Sequence, residues 1–167
     1  MNCPACGAPM RLEPGAESLT CEYCHSVYFP DKNDDGVRVL GVAADYLCPN
    51  CRVALADASF LGTRIRYCTR CRNMLIDMEV FAGLVEELRA GQEGAEIPGA
   101  PSDPGELERH VSCPHCRQAM DTHFYAGPGH VILSDCERCN VNWLDHAKLL
   151  RIAHAGDALR DSGDGLQ

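Results

Sequence analysis

The sequence lacks the features that would attach a protein to a membrane or direct it to export. It contains no apolar run near the roughly 18 residues that a membrane-spanning helix needs. Its first residues lead directly into a cysteine pair, without the basic and apolar segments of a secretory leader. We therefore expect a protein of the reducing cytoplasm with no membrane partner, in which cysteine thiols stay reduced and structural disulfides are rare.

Positive charge is also scarce. The 167 residues include 15 Lys and Arg against 24 Asp and Glu, which gives a formal net charge of −9. Proteins that bind nucleic acid usually gain affinity when Lys and Arg neutralise phosphates. The chain as a whole is therefore predicted to repel a polyanion, and any nucleic-acid interface would need a local basic patch.

Recognisable catalytic motifs are missing as well. No histidine is followed two residues later by glutamate, as a zinc deaminase requires, and the sequence has no phosphate-binding glycine loop or nucleophile elbow. We therefore expect a protein that is not an enzyme, with no catalytic residues.

Cysteine, by contrast, is abundant and regularly spaced. The twelve cysteines form six Cys-x-x-Cys pairs with none left over, and the first pair of each of three units reads Cys-Pro-x-Cys. The gaps between the two pairs of a unit are 14, 16 and 19 residues, close to the 15 to 20 typical of zinc sites. The three predicted quartets are Cys3, Cys6, Cys21 and Cys24; Cys48, Cys51, Cys68 and Cys71; and Cys113, Cys116, Cys136 and Cys139.

Four thiolates satisfy the tetrahedral coordination of Zn²⁺, so we predict three structural zinc ions, one for each quartet. Zinc binding contributes roughly 10–16 kcal/mol in small zinc modules, enough to decide whether each unit folds. A Zn²⁺ ion with four thiolates carries a charge of −2, so three loaded sites bring the formal charge to about −15. A disulfide framework, thioredoxin-like redox pairs and an iron–sulfur site remain as alternatives.

The residues around the cysteines predict a small, metal-stabilised α+β fold. Glycine, proline and β-branched residues between the pairs are typical of hairpins, with turns at Pro14-Gly15, Gly62-Thr63 and Gly127-Pro128-Gly129. Asp77 and Asp145 are predicted helix N-caps, followed by apolar stripes at helical spacing. These stripes are Phe81, Leu84, Val85 and Leu88 in the second unit, and Leu149, Ile152 and Ala153 in the third, where Gly156 would end the helix.

We accordingly predict three tandem four-cysteine zinc ribbons, the last two each followed by a short α-helix. Short strands are expected at Val27–Pro30 and, within the connector, at Val37–Val42. The predicted boundaries are ribbon 1 at 1–30, a connector at 31–46, ribbon 2 with its helix at 47–90, a flexible acidic linker at 91–110, ribbon 3 with its helix at 111–156, and a disordered tail at 157–167.

The second and third units resemble the transcription-factor-IIB-type zinc-ribbon family found in many bacterial proteins. The matching segments are Cys48-Pro49-x-Cys51, Cys68-x-Arg70-Cys71 and Leu75-Ile76-Asp77, and likewise Cys113-Pro114-x-Cys116, Cys136-x-Arg138-Cys139 and Trp143-Leu144-Asp145. The first unit is similar to another common bacterial zinc ribbon. The transcription-factor-IIB-type family often has glycine after the second cysteine of a knuckle. Arginine or asparagine at four of these positions here predicts a tighter or differently twisted knuckle.

Closed metal sites and an acidic surface favour a non-catalytic protein-interaction or adaptor module, whose partner is a protein. One alternative is nucleic-acid binding, related to transcription, through a basic patch on the second ribbon formed by Arg64, Arg66, Arg70 and Arg72. A second alternative is a thiol redox or zinc sensor. The apolar helix stripes also leave open the pairing of the second and third units, or a homodimer.

Overall fold

The computed structural model describes residues 2–13, 17–91, 103–125 and 130–163. In these ranges the chain forms a small α+β fold with ten strands in two antiparallel sheets and two α-helices. None of the helices within these ranges is long and apolar enough to cross a membrane.

The first unit forms a sheet of its own. Its three strands lie in the order β1-β2-β3. Of the first cysteine quartet, Cys3 and Cys6 precede β1, whereas Cys21 and Cys24 lie at the turn between β2 and β3. The turn predicted at Pro14-Gly15 lies outside the described residues. The strands are β1 Met10–Leu12, β2 Leu19–Cys21 and β3 Val27–Tyr28.

The second and third units share one seven-stranded sheet. Its strand order is β4-β5-β6-β7-β10-β9-β8, so the two units join edge to edge through β7 and β10. The pairing of the second and third units, which the sequence had left open, is therefore present in the structure. The strands are β4 Val37–Leu47, β5 Ala54–Phe60, β6 Thr63–Tyr67, β7 Asn73–Asp77, β8 Asp121–Phe124, β9 Ile132–Cys136 and β10 Val141–Asp145.

The junction between β7 and β10 has pseudo-two-fold symmetry. Leu75 and Trp143 occupy the same position in the two repeats, and they are direct partners across the antiparallel pair. Both side chains are buried. An isolated small hairpin would expose these apolar residues to water, and pairing the units removes them from it. This burial explains why the two units form one body.

The turn between β5 and β6 is one residue earlier than predicted. Phe60 pairs with Thr63, so the loop consists of Leu61 and Gly62, with φ angles of 49° and 78°. Two positive φ angles define the type I′ turn, which matches the twist of the flanking strands.

Two helices cover one face of the large sheet. Helix α1, Met78–Gly91, buries the stripe predicted for it, and α2, His146–Gly163, packs against α1 and β10. The Asp145 carboxylate caps α2 by accepting a hydrogen bond of 2.8 Å from the Lys148 backbone N–H. The predicted stop at Gly156 is wrong, because a single glycine weakens a helix by about 1 kcal/mol without having to end it.

Strand alternation divides the large sheet into two apolar faces. Met74, Ile76 and Leu144 point to the helices and form the main core, whereas Leu75 and Trp143 point to the opposite face. The cysteines of the second and third quartets belong to that second cluster. The sheet therefore has a helix-covered face and a metal-binding face.

The segments between the units differ from their predicted roles. The connector 31–46 contributes most of β4, which is longer than the Val37–Val42 strand predicted there, because its apolar residues pair with β5 at the sheet edge. In the predicted linker 91–110, residues 92–102 lie outside the described residues, and Pro104–Glu108 forms a 3₁₀ helix. Of the predicted tail, residues 164–167 lie outside the described part of the chain.

The Glu17 carboxylate connects the first unit to the large sheet. Glu17 accepts a hydrogen bond of 2.5 Å from the Ser59 hydroxyl and one of 3.0 Å from the Gly62 backbone N–H. The hydrogen bond from Ser59 is the main reason that the pKa of Glu17 is lowered. The ionised form of Glu17 is thus the one that holds the first unit at the β5–β6 turn.

Candidate metal centres

Each predicted cysteine quartet comes together in the structure. Within each group all four Sγ atoms lie within 4.8 Å of one another. The shorter separations include 3.6 Å between Cys48 and Cys71 and 3.7 Å between Cys116 and Cys136. A tetrahedral ion with metal–sulfur bonds near 2.3 Å requires sulfur–sulfur edges of about 3.8 Å. The donor set and its spacing therefore fit one tetrahedral metal ion in each quartet.

Backbone geometry aims the two sulfurs of a pair in one direction. In the second unit, the Arg52 N–H donates to the Cys48 carbonyl and the Cys51 N–H points at the Cys48 sulfur, at 2.9 and 3.3 Å. The Cys71 N–H makes the same contact with the Cys68 sulfur at 3.5 Å. Such N–H groups stabilise thiolates, which are the form that binds metal.

The residue after the second cysteine has a positive φ in all six pairs, between 58° and 79°. Only the first pair places glycine there, and the prediction that the other residues would change the knuckle geometry is wrong. A non-glycine residue in this conformation costs about 1 kcal/mol or more. The residues are Gly7, His25, Arg52, Arg72, Arg117 and Asn140.

The three quartets differ in burial. In the first, Cys6 and Cys24 are exposed, whereas in the other two every cysteine is buried or half-buried. The second and third quartets also pack in one cluster with Leu55, Leu75 and Trp143. Water and chelators therefore reach the first site more easily than the other two.

Local hydrogen bonds lower the pKa of individual thiols in the quartets. The Ser26 hydroxyl and backbone N–H lower the pKa of Cys24 to about 6, and the Gln118 backbone N–H lowers that of Cys116 to about 7. Burial, with neighbouring thiols, raises the pKa of Cys139 to about 12. A metal ion that binds the thiolates of the third quartet would therefore have to displace a proton from Cys139.

The four arginines of the predicted basic patch do not lie together. Arg64 and Arg66 lie on β6 on the metal-binding face, and Arg66 forms a salt bridge of 2.9 Å with Asp57. Arg72 instead binds Asp35 through two guanidinium nitrogens. Arg70 is exposed next to Cys71 and does not line the groove that holds Arg64 and Arg66.

Asp35 is a buried carboxylate whose contacts the sequence did not predict. Its side chain is 5% exposed, and besides Arg72 it accepts a hydrogen bond of 2.7 Å from the Tyr67 hydroxyl. His146 Nδ1, at the start of α2, lies 3.3 Å away. Burial opposes the charge on Asp35, but the hydrogen bonds from Arg72 and Tyr67 outweigh it, and the pKa is lowered. The sequence could not predict these contacts, because the partners of Asp35 come from distant segments.

A groove of about 350 Å³ lies on the metal-binding face, beside the third quartet. Side chains stack along its wall. The Arg66 guanidinium lies 4.6 Å from the centre of the Tyr46 ring, and His115 stacks on Tyr46 at 4.8 Å. His115 Nδ1 lies 3.4 Å from the Cys139 sulfur. The residues that line the groove are Tyr46, Arg64, Arg66, Leu75, Asp77, His115, Cys116, Arg138, Cys139 and Val141.

No family model, curated protein or solved structure significantly matches the chain. The geometry of the described residues therefore carries the functional argument. It comprises three four-cysteine groups at metal-binding distances and a basic, partly aromatic groove beside one of them.

Proposed function

We propose that this protein binds three structural Zn²⁺ ions and acts as a non-catalytic protein-interaction module. The observation that carries the proposal is the convergence of all twelve cysteines into three groups of four. Four thiolates suit Zn²⁺ better than harder cations, and they leave no coordination position for a substrate or a reactive water.

The zinc-ribbon identity of the units belongs to the same proposal. Paired knuckles at the ends of β-hairpins, with a helix after the last strand of the second and third units, support a transcription-factor-IIB-type ribbon architecture. That architecture serves many roles, so it does not itself select transcription.

The charge distribution favours a protein partner over nucleic acid. The chain carries a net charge of −9 before metal binds, and zinc makes the total more negative. Arg72 and Arg66, half of the predicted basic patch, are paired with Asp35 and Asp57. One observation supports a nucleic-acid role: Arg138 lines the same groove as Arg64 and Arg66.

An affinity pull-down separates these two roles. The full chain, with its zinc content measured, is used as bait in a native extract, with and without nuclease. Reproducible protein partners that survive nuclease support the interaction role. Partners that vanish with nuclease, together with binding that falls steeply as salt rises, would assign the protein to nucleic acid instead.

A further inference from the structure

The first unit carries a cluster of exposed apolar side chains. Tyr23 is 80% exposed, Val27 56% and Phe29 60%, and the three lie within seven consecutive residues. The other large apolar side chains that are exposed in the described ranges lie singly, on four different elements. Single exposed apolar residues are common on protein surfaces, whereas a cluster is typical of a surface that binds a partner. We call Tyr23, Val27 and Phe29 the first-unit patch.

Strand pairing places two members of the patch on the outer face of the small sheet. Tyr28 pairs with Leu19, which is buried, so the side chain of Tyr28 lies on the inner face. Val27, the neighbour of Tyr28, therefore points to the opposite face. Phe29 precedes Pro30, which favours an extended backbone, so alternation returns Phe29 to the face of Val27. β3 is also an edge strand, so no further strand of the described chain flanks it.

The metal site adds negative charge beside the patch. Tyr23 lies in the knuckle between Cys21 and Cys24, both of which belong to the first quartet. A Zn²⁺ ion with four thiolates carries a charge of −2. Cys6 and Cys24 are exposed, so the charge of the loaded quartet reaches the surface next to Tyr23.

The charged side chains around the patch do not reverse this sign. Residues 2–13 and 17–32 contain four carboxylates and two cations, and Arg38, which donates to the Pro30 carbonyl, adds a third cation. With histidine counted as neutral, their formal charge is about −1, and a loaded quartet brings it to about −3. The residues counted are Glu13, Glu17, Glu22, Asp31, Arg11, Lys32 and Arg38.

This combination of apolar surface and negative charge selects the chemistry of the partner. An acidic segment or a nucleic acid would be repelled by the surroundings of the patch. A second copy would bring the same negative charge to the interface, which disfavours self-association. A segment that combines Lys or Arg with large apolar side chains matches both features, since the patch offers apolar contact and the surroundings attract cations.

We propose that the first-unit patch binds a short segment of a partner protein that is rich in Lys or Arg and carries large apolar side chains. These apolar side chains pack on Tyr23, Val27 and Phe29, and the cations lie near Glu22 and the loaded first quartet. The inference rests on the proposed interaction role and adds to it a site and the chemistry of the partner.

The experiment is a selection of 12-residue peptides from a random displayed library on the zinc-loaded full chain. We expect a consensus that combines basic and large apolar residues. The affinity of the selected peptides, measured by fluorescence anisotropy, should fall about tenfold or more in Phe29→Ala, because most of the apolar contact of this side chain is lost. Phe124→Ala is the matched control, because it makes the same change at an exposed residue of β8, and it should leave the affinity unchanged.

A second pair of variants tests the charge. Glu22→Lys should weaken peptide binding about threefold or more, because it places a cation beside the patch. Glu86→Lys makes the same charge change at an exposed residue of α1 and should have no effect. Zinc is counted in every variant. If Phe29→Ala loses the zinc of the first quartet, Tyr23→Ala takes its place, with the same loss of affinity expected.

The proposal is overturned by a selection that yields no peptides combining basic and apolar residues, or by equal losses of affinity in Phe29→Ala and Phe124→Ala. It is also overturned if sedimentation shows a dimer that Phe29→Ala dissociates, since the patch would then bind a second copy.

Failure of this inference can be told from failure of the interaction role. If the Phe29→Ala chain still captures the same nuclease-resistant protein partner in the pull-down, the interaction role stands and the patch is not its site. If the unsubstituted chain captures no partner and selects no peptide, the interaction role fails.

Discussion

Asp35 and Arg72 form a salt bridge that joins the connector before the second unit to the knuckle that carries Cys68 and Cys71. The carboxylate is buried, whereas the guanidinium is about half exposed, with 53% of its side-chain surface accessible. The Tyr67 hydroxyl donates to the same carboxylate. His146, the first residue of α2, places its Nδ1 3.3 Å from this carboxylate. The buried Asp35 carboxylate therefore connects three parts of the protein, which are the segment before β4, the end of β6 with the knuckle that follows it, and the start of α2.

We predict that Asp35→Asn lowers the free energy of unfolding by about 1–3 kcal/mol, because it leaves the Arg72 and Tyr67 donors with a weaker acceptor. Urea denaturation of the zinc-loaded protein measures the change. The matched control is Asp34→Asn, since Asp34 is the exposed neighbour. Equal effects of the two substitutions would show that the network does not stabilise the fold.

The zinc ion proposed for the first quartet should exchange more easily than the other two. Cys6 and Cys24 are exposed, whereas the second and third quartets lie in a shared apolar cluster. We predict that a chromogenic chelator removes one zinc ion quickly and two slowly, and that Cys6→Ser leaves two ions and an intact large sheet. Three ions lost at one rate would contradict this order.

The greater exposure of the first quartet also provides a test of the hypothesis that the protein is a thiol redox sensor. Mild peroxide should release zinc from the first site before the others, because oxidation requires access to a thiolate. Release from the first site at a rate typical of inert zinc ribbons would count against a redox-sensing role. The measurement is zinc release followed by a metal-sensitive dye, with the Cys6→Ser variant as control.

Trp143 should report on the proposed metal binding at the second and third quartets. It is the only tryptophan in the sequence, it is 4% exposed, and it packs in the cluster that contains both quartets. We predict that complete chelation shifts its fluorescence to longer wavelength as the indole meets water. Removal of the first ion alone should leave the emission unchanged, and a red shift at that stage would contradict the arrangement.

His123 should titrate above its ordinary pKa. Its Nε2 lies 2.5 Å from the Asp135 carboxylate, and this contact raises the pKa of the imidazole above 6.5. The interaction stabilises the fold fully below about pH 6.5 and is lost as the pH rises through the folded-state pKa. Because His123 is nearly half exposed, the effect on stability is small. NMR titration of the ring should show the raised midpoint, and Asp135→Asn should return it towards 6.5.

The cysteine spacing was sufficient to predict the three quartets, since Cys-x-x-Cys pairs separated by a hairpin have few other uses. Helical periodicity likewise predicted the buried face of α1, Phe81, Leu84, Val85 and Leu88. Both features depend on residues that are close in the sequence. Such local patterns could be interpreted without coordinates.

The features that could not be predicted depend on contacts between distant segments. Nothing near Leu75 or Trp143 indicates that the two pair, and Arg72 resembles a surface charge until Asp35 is placed beside it. The arginines of the predicted patch are separated for the same reason. Strand alternation places Arg64 and Arg66 on one face of β6, whereas Arg72 pairs with Asp35. Tyr46 of β4 lines the groove, and it lies beyond the strand that the sequence predicted at Val37–Val42, because β4 continues to pair with β5 along the sheet edge.

X-ray absorption at the zinc edge, on protein whose zinc is counted, tests the central claim most directly. We predict three ions per chain and a single coordination shell of four sulfurs near 2.3 Å. Fewer than three ions, or a shell in which nitrogen or oxygen replaces sulfur, would contradict it.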